Sequence, residues 1–387
     1  MTEQLAAEIA AQGPMRFDAF MSRALFDPQH GYYASGRARI GRGGDFYTNV
    51  SVGRVFGRVV AAQCAEIWER LGAPDEFDIV EQGANDGRLA ADVLDALRDN
   101  HAACFSATRY IFVEPFPHLA AQQRHILSAH TAKARWTDAL PPFTGVHLTN
   151  EYADALPVRL FVRGEDSWFE RHVSARGGRL VFEDLPCPDA PACLPAGVEK
   201  DYVAEFRPEA AKWIAAVAAK LARGAMLIID YGFPREQLHA PWRTGGTLSC
   251  YRAHRRDDNA LEAPGEKDIT AHVDFTGLAE AGLSAGLELA GFTDQYHFLV
   301  GAGTPLLLAM EAAPATAQRD ADLRALKSLL HPEMMGTQFK YLCLTRGMDS
   351  AMPLSGFRHA RPAAEALNTS LPDTYTGTAP HPRNPDQ

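Results

Sequence analysis

Residues 77–97 constrain the fold of this chain more than any other segment. A short apolar run ends in an acid, and the turn that follows reads Glu81-x-Gly83-x-Asn85-x-Gly87. Apolar residues then recur at helical spacing to the end of the segment. This order of strand, tight turn and helix is typical of the first unit of a parallel α/β sheet.

The turn is a candidate ligand-binding loop, because glycines let a backbone approach a ligand closely. Its spacing differs from the G-x-G-x-x-G pattern that places a pyrophosphate on a helix. It resembles motif I of class I S-adenosylmethionine (SAM) methyltransferases, with Gly83, Ala84, Asn85 and Gly87 as the cofactor-binding turn. Asn85 replaces the middle glycine, and asparagine is the non-glycine residue that best tolerates left-handed backbone. The alternative is a structural turn without a ligand.

Polar side chains end four successive strands of the predicted sheet: Glu81, Glu114, Asp138, and Asn150 with Glu151. The carboxyl ends of parallel strands meet at one edge and form the ligand crevice. In a SAM site, the acid after the second strand accepts hydrogen bonds from both ribose hydroxyls, and the acid after the third takes the adenine amino group. Alternatively, Glu114 is an acid at the start of a helix, where the helix dipole favours a negative charge. Asp138 could likewise be the cap of a loop.

Composition limits the class of protein. The chain has 387 residues, a net charge of −10 and no evident basic stripe, which argues against binding to a nucleic-acid backbone. No run of about 18 uncharged apolar residues occurs, so we expect no membrane span. The N-terminus lacks the apolar core of a signal peptide and an arginine-rich transit pattern, so we expect a cytoplasmic protein.

A metal site is not expected. The six cysteines include no C-x-x-C pair, which argues against zinc and favours reduced thiols. His254 and His272 have acidic neighbours in the sequence, but no second spaced pair of ligands accompanies them. We expect both histidines to be structural groups.

The resemblance extends well beyond the turn. It includes Gly-Asp-Phe-Tyr-Thr at 44–48, Asn-Glu-Tyr-Ala-Asp-Ala-Leu-Pro-Val at 150–158 and Ile-Ile-Asp-Tyr-Gly at 228–232, with further matches at 17–33, 246–254 and 268–275. In this order the segments are similar to the MidA family of SAM-dependent methyltransferases, over about residues 14–345. Two departures concern the cofactor site: Asn85, and Thr48-Asn-Val-Ser where the family commonly has Thr-x-Pro-Glu.

The resemblance implies a fold, a reaction and partners. It implies an α/β class I (Rossmann-like) core of seven strands, with an N-terminal helical segment and inserted substrate-binding elements. It implies methyl transfer from SAM to an arginine of a protein substrate, for which a respiratory-complex subunit is a candidate. No nucleic-acid partner is implied.

The resemblance also implies the residues of the acceptor site. Glu151, Asn150 and Asp154 follow the fourth strand, where methyltransferase folds commonly hold the acceptor, with Glu151 ranked first. Asp154 has the alternative of capping a turn. Thr48 is expected to contact the cofactor, and residues 44–48 to fold over it as a lid.

Three regions are expected along the chain. Residues 1–72 form N-terminal helices and a glycine-rich loop, and 73–347 form the core with insertions around 158–200 and 240–275. The tail, 348–387, is rich in Pro, Ser, Thr and Ala and is expected to be disordered. Within the core, the pattern predicts antiparallel strands over 158–184, a helix over 275–290 and an edge strand over 292–298.

Two rival functions remain open at this stage. A small-molecule O- or N-methyltransferase would use the same core with a closed, aromatic acceptor pocket. A non-catalytic assembly factor would keep the fold but bind SAM weakly, and Asn85 is the feature that supports this reading.

Overall fold

The computed structural model describes residues 1–36, 49–252, 255–349 and 352–369. In chain order the helices α1–α13 span Thr2–Gln12, Phe17–Phe26, Asn49–Val52, Val55–Arg70, Arg88–Asn100, Ala102–Ala107, Pro117–Ile126, Pro208–Lys220, Arg235–Leu238, Phe275–Ser284, Gln295–Ala312, Ala317–Leu330 and Ala363–Leu367. The strands β1–β16 span Met15–Arg16, Phe77–Gln82, Thr108–Val113, Ala134–Thr137, Phe143–Asn150, Arg159–Arg163, Trp168–Arg176, Arg179–Pro186, Val203–Phe206, Leu221–Phe233, Ser249–Arg252, Arg255–Asp257, Asp268–Thr270, Val273–Asp274, Glu288–Asp294 and Phe339–Arg346.

The central sheet has the strand order β15-β16-β10-β5-β2-β3-β4, and the two-residue β14 pairs beside β10. β4, β3, β2, β5 and β10 run parallel, whereas β16 is antiparallel to both of its neighbours. The seven strands of this path confirm the predicted class I α/β core. Because β2, β3, β4 and β5 are parallel, their carboxyl ends lie at one edge of the sheet, as predicted from the acids at the ends of these strands.

Helices cover both faces of the sheet, because the side chains of each buried strand alternate between two apolar clusters. On β10, Leu227 and Ile229 join the cluster formed with α4, α5 and α11. Met226 and Ile228 join the opposite cluster, with α8 and α10. A strand buried on both faces must be apolar at nearly every position, which explains the continuous hydrophobic run of β10.

A second sheet lies beside the N-terminal helices. β1, β7, β6 and β9 form it in that order, β8 pairs with β7, and all of these pairs are antiparallel. The antiparallel strands predicted over 158–184 are therefore confirmed. A third apolar cluster joins this sheet to α1 and α2 through buried residues such as Leu5, Phe20 and Val173. A small sheet, β12-β11-β13, completes the insertions.

Two predictions for the C-terminal part of the core were wrong. The helix predicted over 275–290 ends at Ser284, and the strand predicted over 292–298 is β15, Glu288–Asp294. α11 then begins at Gln295, where the sequence predicted a strand. α11 is apolar on most sides and contains Pro305, so it shows no helical periodicity in the sequence.

The expected disorder of the tail is contradicted for residues 352–369. Leu354 and Phe357 are buried in the cluster around α4, and Leu367 is buried in the opposite one. The carboxylate of Glu66 accepts hydrogen bonds from the backbone nitrogen of Ser355. A few apolar side chains with matching cavities are enough to order a segment whose average composition is that of a disordered tail. Across the described parts of the chain, no helix combines the length and the apolar character that crossing a membrane requires.

The close pairing of β5 with β2 yields the first prediction. Gly145 has a φ of +145°, and a Cβ atom there would lie 2.1 Å from the carbonyl oxygen of Asp78. We expect Gly145→Ala to lower the free energy of unfolding by about 2–3 kcal/mol in chemical denaturation, because the two strands would have to separate. Gly245→Ala is the control, since no atom lies within 4 Å of its added Cβ. Equal denaturation midpoints for the two variants would contradict this account of the sheet.

Candidate active site

The turn after β2 has the backbone conformation that the sequence motif predicted. Gly83, Asn85 and Gly87 have φ values of +76°, +47° and +87°. Asn85 thus adopts the left-handed conformation that its replacement of glycine requires. Its carbonyl oxygen accepts a hydrogen bond of 2.8 Å from Nε2 of Gln123, which fixes the turn against α7.

Two adjoining cavities lie at this edge of the sheet. The larger has a volume of about 520 Å³, within the usual range for a small-molecule site, and is lined by Phe26, Tyr33, Gln82, Gly83, Asn85, Val113, Glu114, Pro115, Phe116, Leu119, Asp138, Glu151, Tyr152, Ala155 and Leu156. The second is lined by Val50, Ser51, Glu81, Gly83, Ala84, Asn85, Asp86, Arg88, Leu89, Asn150 and Glu151. Both cavities share Gly83, Asn85 and Glu151.

Glu114 is held rigidly beside the larger cavity. Its Oε1 accepts a hydrogen bond of 2.9 Å from the backbone nitrogen of Phe116, and its Oε2 accepts one of 2.8 Å from Nε2 of Gln123. Burial raises the pKa of Glu114, and these two donors oppose the shift. Each carboxylate oxygen can accept a second hydrogen bond, so Glu114 retains the capacity to accept from two hydroxyls. Asp138 is exposed at the rim of the same cavity.

Glu81 is buried at the second cavity. Its Oε2 accepts a hydrogen bond of 2.7 Å from the hydroxyl of Tyr110. Burial raises the pKa of Glu81 to about 8, although this hydrogen bond lowers it. A cationic group placed beside Glu81 would favour its ionised form.

The turn after β5 is fastened by one carboxylate. Oδ2 of the fully buried Asp230 accepts hydrogen bonds from the backbone nitrogens of Tyr152, Ala153 and Asp154, at 3.1, 2.7 and 3.3 Å. Its Oδ1 accepts from the nitrogen of Tyr231 at 2.8 Å. Burial and then Asp154 raise the pKa of Asp230, and the backbone donors oppose both effects. Asp230 therefore fixes the segment that follows Glu151.

Glu151 lies at the junction of the two cavities, with a left-handed φ of +56°. Its Oε1 accepts a hydrogen bond of 3.1 Å from Nδ2 of Asn150. Among the described residues, none donates a hydrogen bond to its Oε2. Burial raises the pKa of Glu151 well above its ordinary value, and Asp154 and Asp230 raise it further. Glu151 therefore keeps one oxygen available for a ligand.

A chain of amides orients Asn150. Its Oδ1 accepts a hydrogen bond of 2.9 Å from Nδ2 of Asn49, which is fully buried. Nδ2 of Asn49 also lies 3.5 Å from Oε1 of Gln295, and Nε2 of Gln295 donates to the carbonyl of Leu329 at 3.0 Å. The carbonyl of Leu329 can only accept, so Gln295 must turn its NH₂ group toward Leu329 and its Oε1 toward Asn49. Asn49 in turn must direct its NH₂ group toward Gln295 and Asn150. Asn150 therefore presents its NH₂ group to Glu151.

The structure brings most of the predicted site residues together but leaves two of them, Gly87 and Asp154, outside the cavities. Gly87 lines neither cavity: it precedes α5, and an added Cβ would lie 3.2 Å from the Gln123 side chain. Asp154 is buried behind Glu151 and lines neither cavity. Burial raises the pKa of Asp154, and the charge of Arg207 opposes this shift. Thr48 and the lid expected at 44–48 lie outside the described residues.

Sequence reasoning missed several lining residues. Tyr33, Phe116, Leu119 and Tyr152 border the larger cavity, but aromatic and aliphatic side chains in loops carry no motif that assigns them to a ligand. Asp230 could have been found, because it follows the strongest apolar run in the sequence, as the other predicted strand-end acids follow theirs. Within the described ranges, no three His, Cys, Asp or Glu side chains are grouped so that they could hold a metal ion.

These residues fit SAM. A Cβ at Gly83 would lie 2.9 Å from Cδ2 of Tyr152, so only glycine allows the turn to pack on that ring. Glu114 offers spare acceptor capacity in the larger cavity. Beside the second cavity, Oδ1 of the fully buried Asn49 has no hydrogen-bond partner among the described residues.

Comparison with known families agrees with the fold. The model of a family described as "Putative S-adenosyl-L-methionine-dependent methyltransferase" matches residues 59–293, well over half of the chain. The chain therefore belongs to this family of MidA-like, SAM-dependent methyltransferases, and the resemblance found in the sequence is confirmed. The cofactor is S-adenosyl-L-methionine.

Relatives with names and solved structures cover nearly the whole chain. It is 27% identical over 394 residues to the Drosophila melanogaster protein arginine methyltransferase NDUFAF7 homolog, mitochondrial, covering 92% of this chain and 88% of that protein. With the human NDUFAF7 the identity is 25% over 378 residues, covering 89% and 83%. A Burkholderia thailandensis crystal structure bound to S-adenosyl-homocysteine is 37% identical, with a TM-score of 0.86 over 92% of this chain and 94% of that chain.

Binding of S-adenosylhomocysteine tests the role of the turn. We expect Gly83→Val to abolish the heat of binding in calorimetric titration, because its side chain would collide with Tyr152 and resist the left-handed φ. The far-UV circular dichroism should keep its helical signal. Asn85→Gly is the matched control, since glycine adopts the same φ without strain, and it should bind normally. Normal binding by Gly83→Val would show that the cofactor lies elsewhere.

Proposed function

We propose that this chain transfers the methyl group of SAM to an arginine side chain of a protein substrate. The observation that carries the proposal is the carboxylate of Glu151, which has an oxygen without a donor among the described residues and lies where the two cavities meet. The names of the relatives support it, since they are called protein arginine methyltransferases.

The acids around Glu151 make this corner of the site suited to a cation. Asp154, Asp230 and Asp268 all raise the pKa of Glu151 through their charge. The hydroxyl of Tyr33 donates to both oxygens of Asp268, at 2.9 and 3.0 Å, and Asp230 is occupied by backbone N–H groups. The neighbours thus supply negative potential, whereas Glu151 is the acid that offers direct contact.

An arginine acceptor explains why a carboxylate is needed. A guanidinium group enters the site protonated, with a pKa above about 12, and its planar fork matches a carboxylate. Glu151 would orient the fork and offset its charge, while Asn150 holds Glu151 in place. The bound cofactor supplies an electrophilic methyl group by in-line displacement, so the contribution of the protein is mainly positioning and exclusion of water. The attacking nitrogen then loses a proton to the acidic cluster or to solvent.

The two rival functions receive less support. The non-catalytic reading depended on Asn85, whose backbone keeps the shape of the cofactor turn. The aromatic residues at the larger cavity, among them Phe116 and Tyr152, surround the place proposed for the cofactor rather than an acceptor.

Partners and location stay predictions. A subunit of a respiratory complex is a candidate substrate through the family resemblance alone. A cytoplasmic location was expected from the N-terminus of the sequence, whereas the names of the relatives include the word mitochondrial.

Replacement of Glu151 tests the proposed acceptor site. Glu151→Gln keeps the size of the side chain but removes the charge that faces the guanidinium. A charge-assisted hydrogen bond contributes about 1.5–3 kcal/mol, so turnover should fall about ten- to a hundred-fold. The measurement uses labelled SAM and a lysate from cells that lack the enzyme, with hydrolysis of the labelled product to identify methylarginine.

Two further variants separate the roles of the residues. Glu114→Ala should show the opposite pattern, with weakened cofactor binding as its main defect. Glu165→Gln changes an exposed glutamate paired with Lys200 and should leave turnover unchanged. A wild-type rate of labelling by Glu151→Gln would show that the acceptor is not a cation held at this position, and would favour a small-molecule substrate.

The pH dependence gives a second test. Only ionised Glu151 attracts a guanidinium, and its raised pKa means that the ionised form is lost at a higher pH than for an ordinary glutamate. Asp154, beside it, has a pKa raised to about 6, chiefly by burial. We therefore expect kcat/KM for the acceptor to fall on the acidic side, beginning at a higher pH than an ordinary glutamate would give, and to rise toward alkaline pH. Glu151→Gln should lose most of this acidic limb; an unchanged limb would assign it to another group.

A further inference from the structure

A group of cations surrounds an aromatic ring near the acidic site. The guanidinium carbon of Arg243 lies 4.5 Å from the ring centroid of Phe233, and Nζ of Lys340 lies 6.0 Å from it. The ring of His272 packs on the same phenylalanine, with centroids 5.3 Å apart. Trp242, next to Arg243 in the chain, is 80% exposed. We call Arg243, Lys340 and His272, together with Phe233, the basic cluster.

The basic cluster has unused hydrogen-bonding capacity. Among the described residues, no acid lies within salt-bridge distance of Arg243 or Lys340, and Lys340 donates only to the carbonyl of Thr337. Nε of Arg243 and Nδ1 of His272 are both buried without a hydrogen-bond partner in the described part of the chain. Buried polar nitrogens without a partner are uncommon in folded proteins and need an explanation, and a bound anion would supply one.

Two nearby cations outside the cluster, Arg207 and Arg256, already have partners. The guanidinium of Arg207 donates to backbone carbonyls, including those of Asp154 and Ala271 at 3.0 and 2.7 Å. Arg256 forms an ion pair of 3.1 Å with Asp258. Burial, with Arg243 and Arg207 next in effect, lowers the pKa of His272 to about 4. The imidazole is therefore neutral near pH 7, and it can offer an N–H to an anion.

The fold sets the distance between the basic cluster and the acceptor site. β10 makes its last pairing with β5 where Ile229 lies opposite Asn150, directly before Glu151. It then continues four residues to Phe233, which is about 13 Å at the usual rise of a strand. An extended peptide covers the same distance in about four residues.

We propose that the basic cluster is a subsite for a carboxylate side chain of the substrate, and that it selects protein segments with an acidic residue about three to five positions from the methylated arginine. This inference rests on the proposed function, because it takes Glu151 as the place of the arginine. The substrate would then be a protein segment of mixed charge. Its arginine would bind at Glu151, and its carboxylate would bind at Arg243 and Lys340.

Synthetic peptides test the subsite without knowledge of the natural substrate. One pair has a single arginine in a glycine–serine background, with glutamate or glutamine four positions after it, and a second pair has the same residues four positions before it. Binding is measured by fluorescence anisotropy on the enzyme saturated with S-adenosylhomocysteine. We expect glutamate to bind about ten-fold more tightly than glutamine in one of the two pairs, since a charge-assisted contact is formed.

Charge-removing variants locate the effect. In Arg243→Gln combined with Lys340→Gln, the glutamate and glutamine peptides should bind about equally. The matched control is Arg324→Gln with Lys327→Gln, which removes two exposed charges from α12 and should keep the preference. Equal affinity of the wild-type enzyme for both members of each pair, including no measurable binding of any peptide, would overturn the subsite whether or not the variants fold.

Methylation of the same peptides separates the subsite from the proposed function. If the labelled methyl group is transferred to arginine at equal rates in all peptides, the proposed arginine methylation is supported and the subsite is overturned. Selective binding of the glutamate peptides without methylation would support the subsite and count against arginine as the acceptor.

Discussion

The carboxylate of Asp230 is the interaction on which the site depends. It stands in β10, one residue beyond the last pairing of that strand with β5, and four backbone N–H groups converge on its two oxygens. Three of these groups belong to the turn that follows Glu151. A loop next to a cavity has few contacts of its own, so its geometry must be imposed by a rigid neighbour. Asp230 transfers the rigidity of the sheet to the residues proposed to hold the acceptor.

The same sheet supplies both halves of the site because its strands are parallel. β2 and β3 end at the turn and the acid that fit SAM, and β5 ends at Asn150 and Glu151. The separation between the turn after β2 and Glu151 after β5 is thus set by the spacing of neighbouring strands, about 4.8 Å, rather than by loops. The longer β10 extends past this edge and holds the basic cluster at Phe233.

Charge is distributed unevenly around this edge, although the whole chain has a net charge of −10. Acids gather around Glu151: burial raises the pKa of both Glu151 and Asp154, and the charges of neighbouring acids raise that of Glu151 further. Such an arrangement is costly to the folded protein, and a cation that enters the site relieves the cost. Arg243 and Lys340 have the opposite sign a short distance away. A surface that carries both signs in a fixed order can discriminate between peptide sequences.

The sequence by itself determined the sheet, the cofactor turn and the acids at the strand ends. These features depend on local patterns: buried strands are apolar runs, and Asn85 can take the left-handed φ wherever the turn is placed. Only the tertiary structure decided which acid is free. Asp154 and Glu151 both follow the fourth strand in the sequence, but Asp154 is buried and lines neither cavity, whereas Glu151 lies where the two cavities meet. It also decided that Gly87 serves packing against Gln123, and that residues 354–367 join the core. Each of these outcomes depends on partners far away in the chain, which no local pattern specifies.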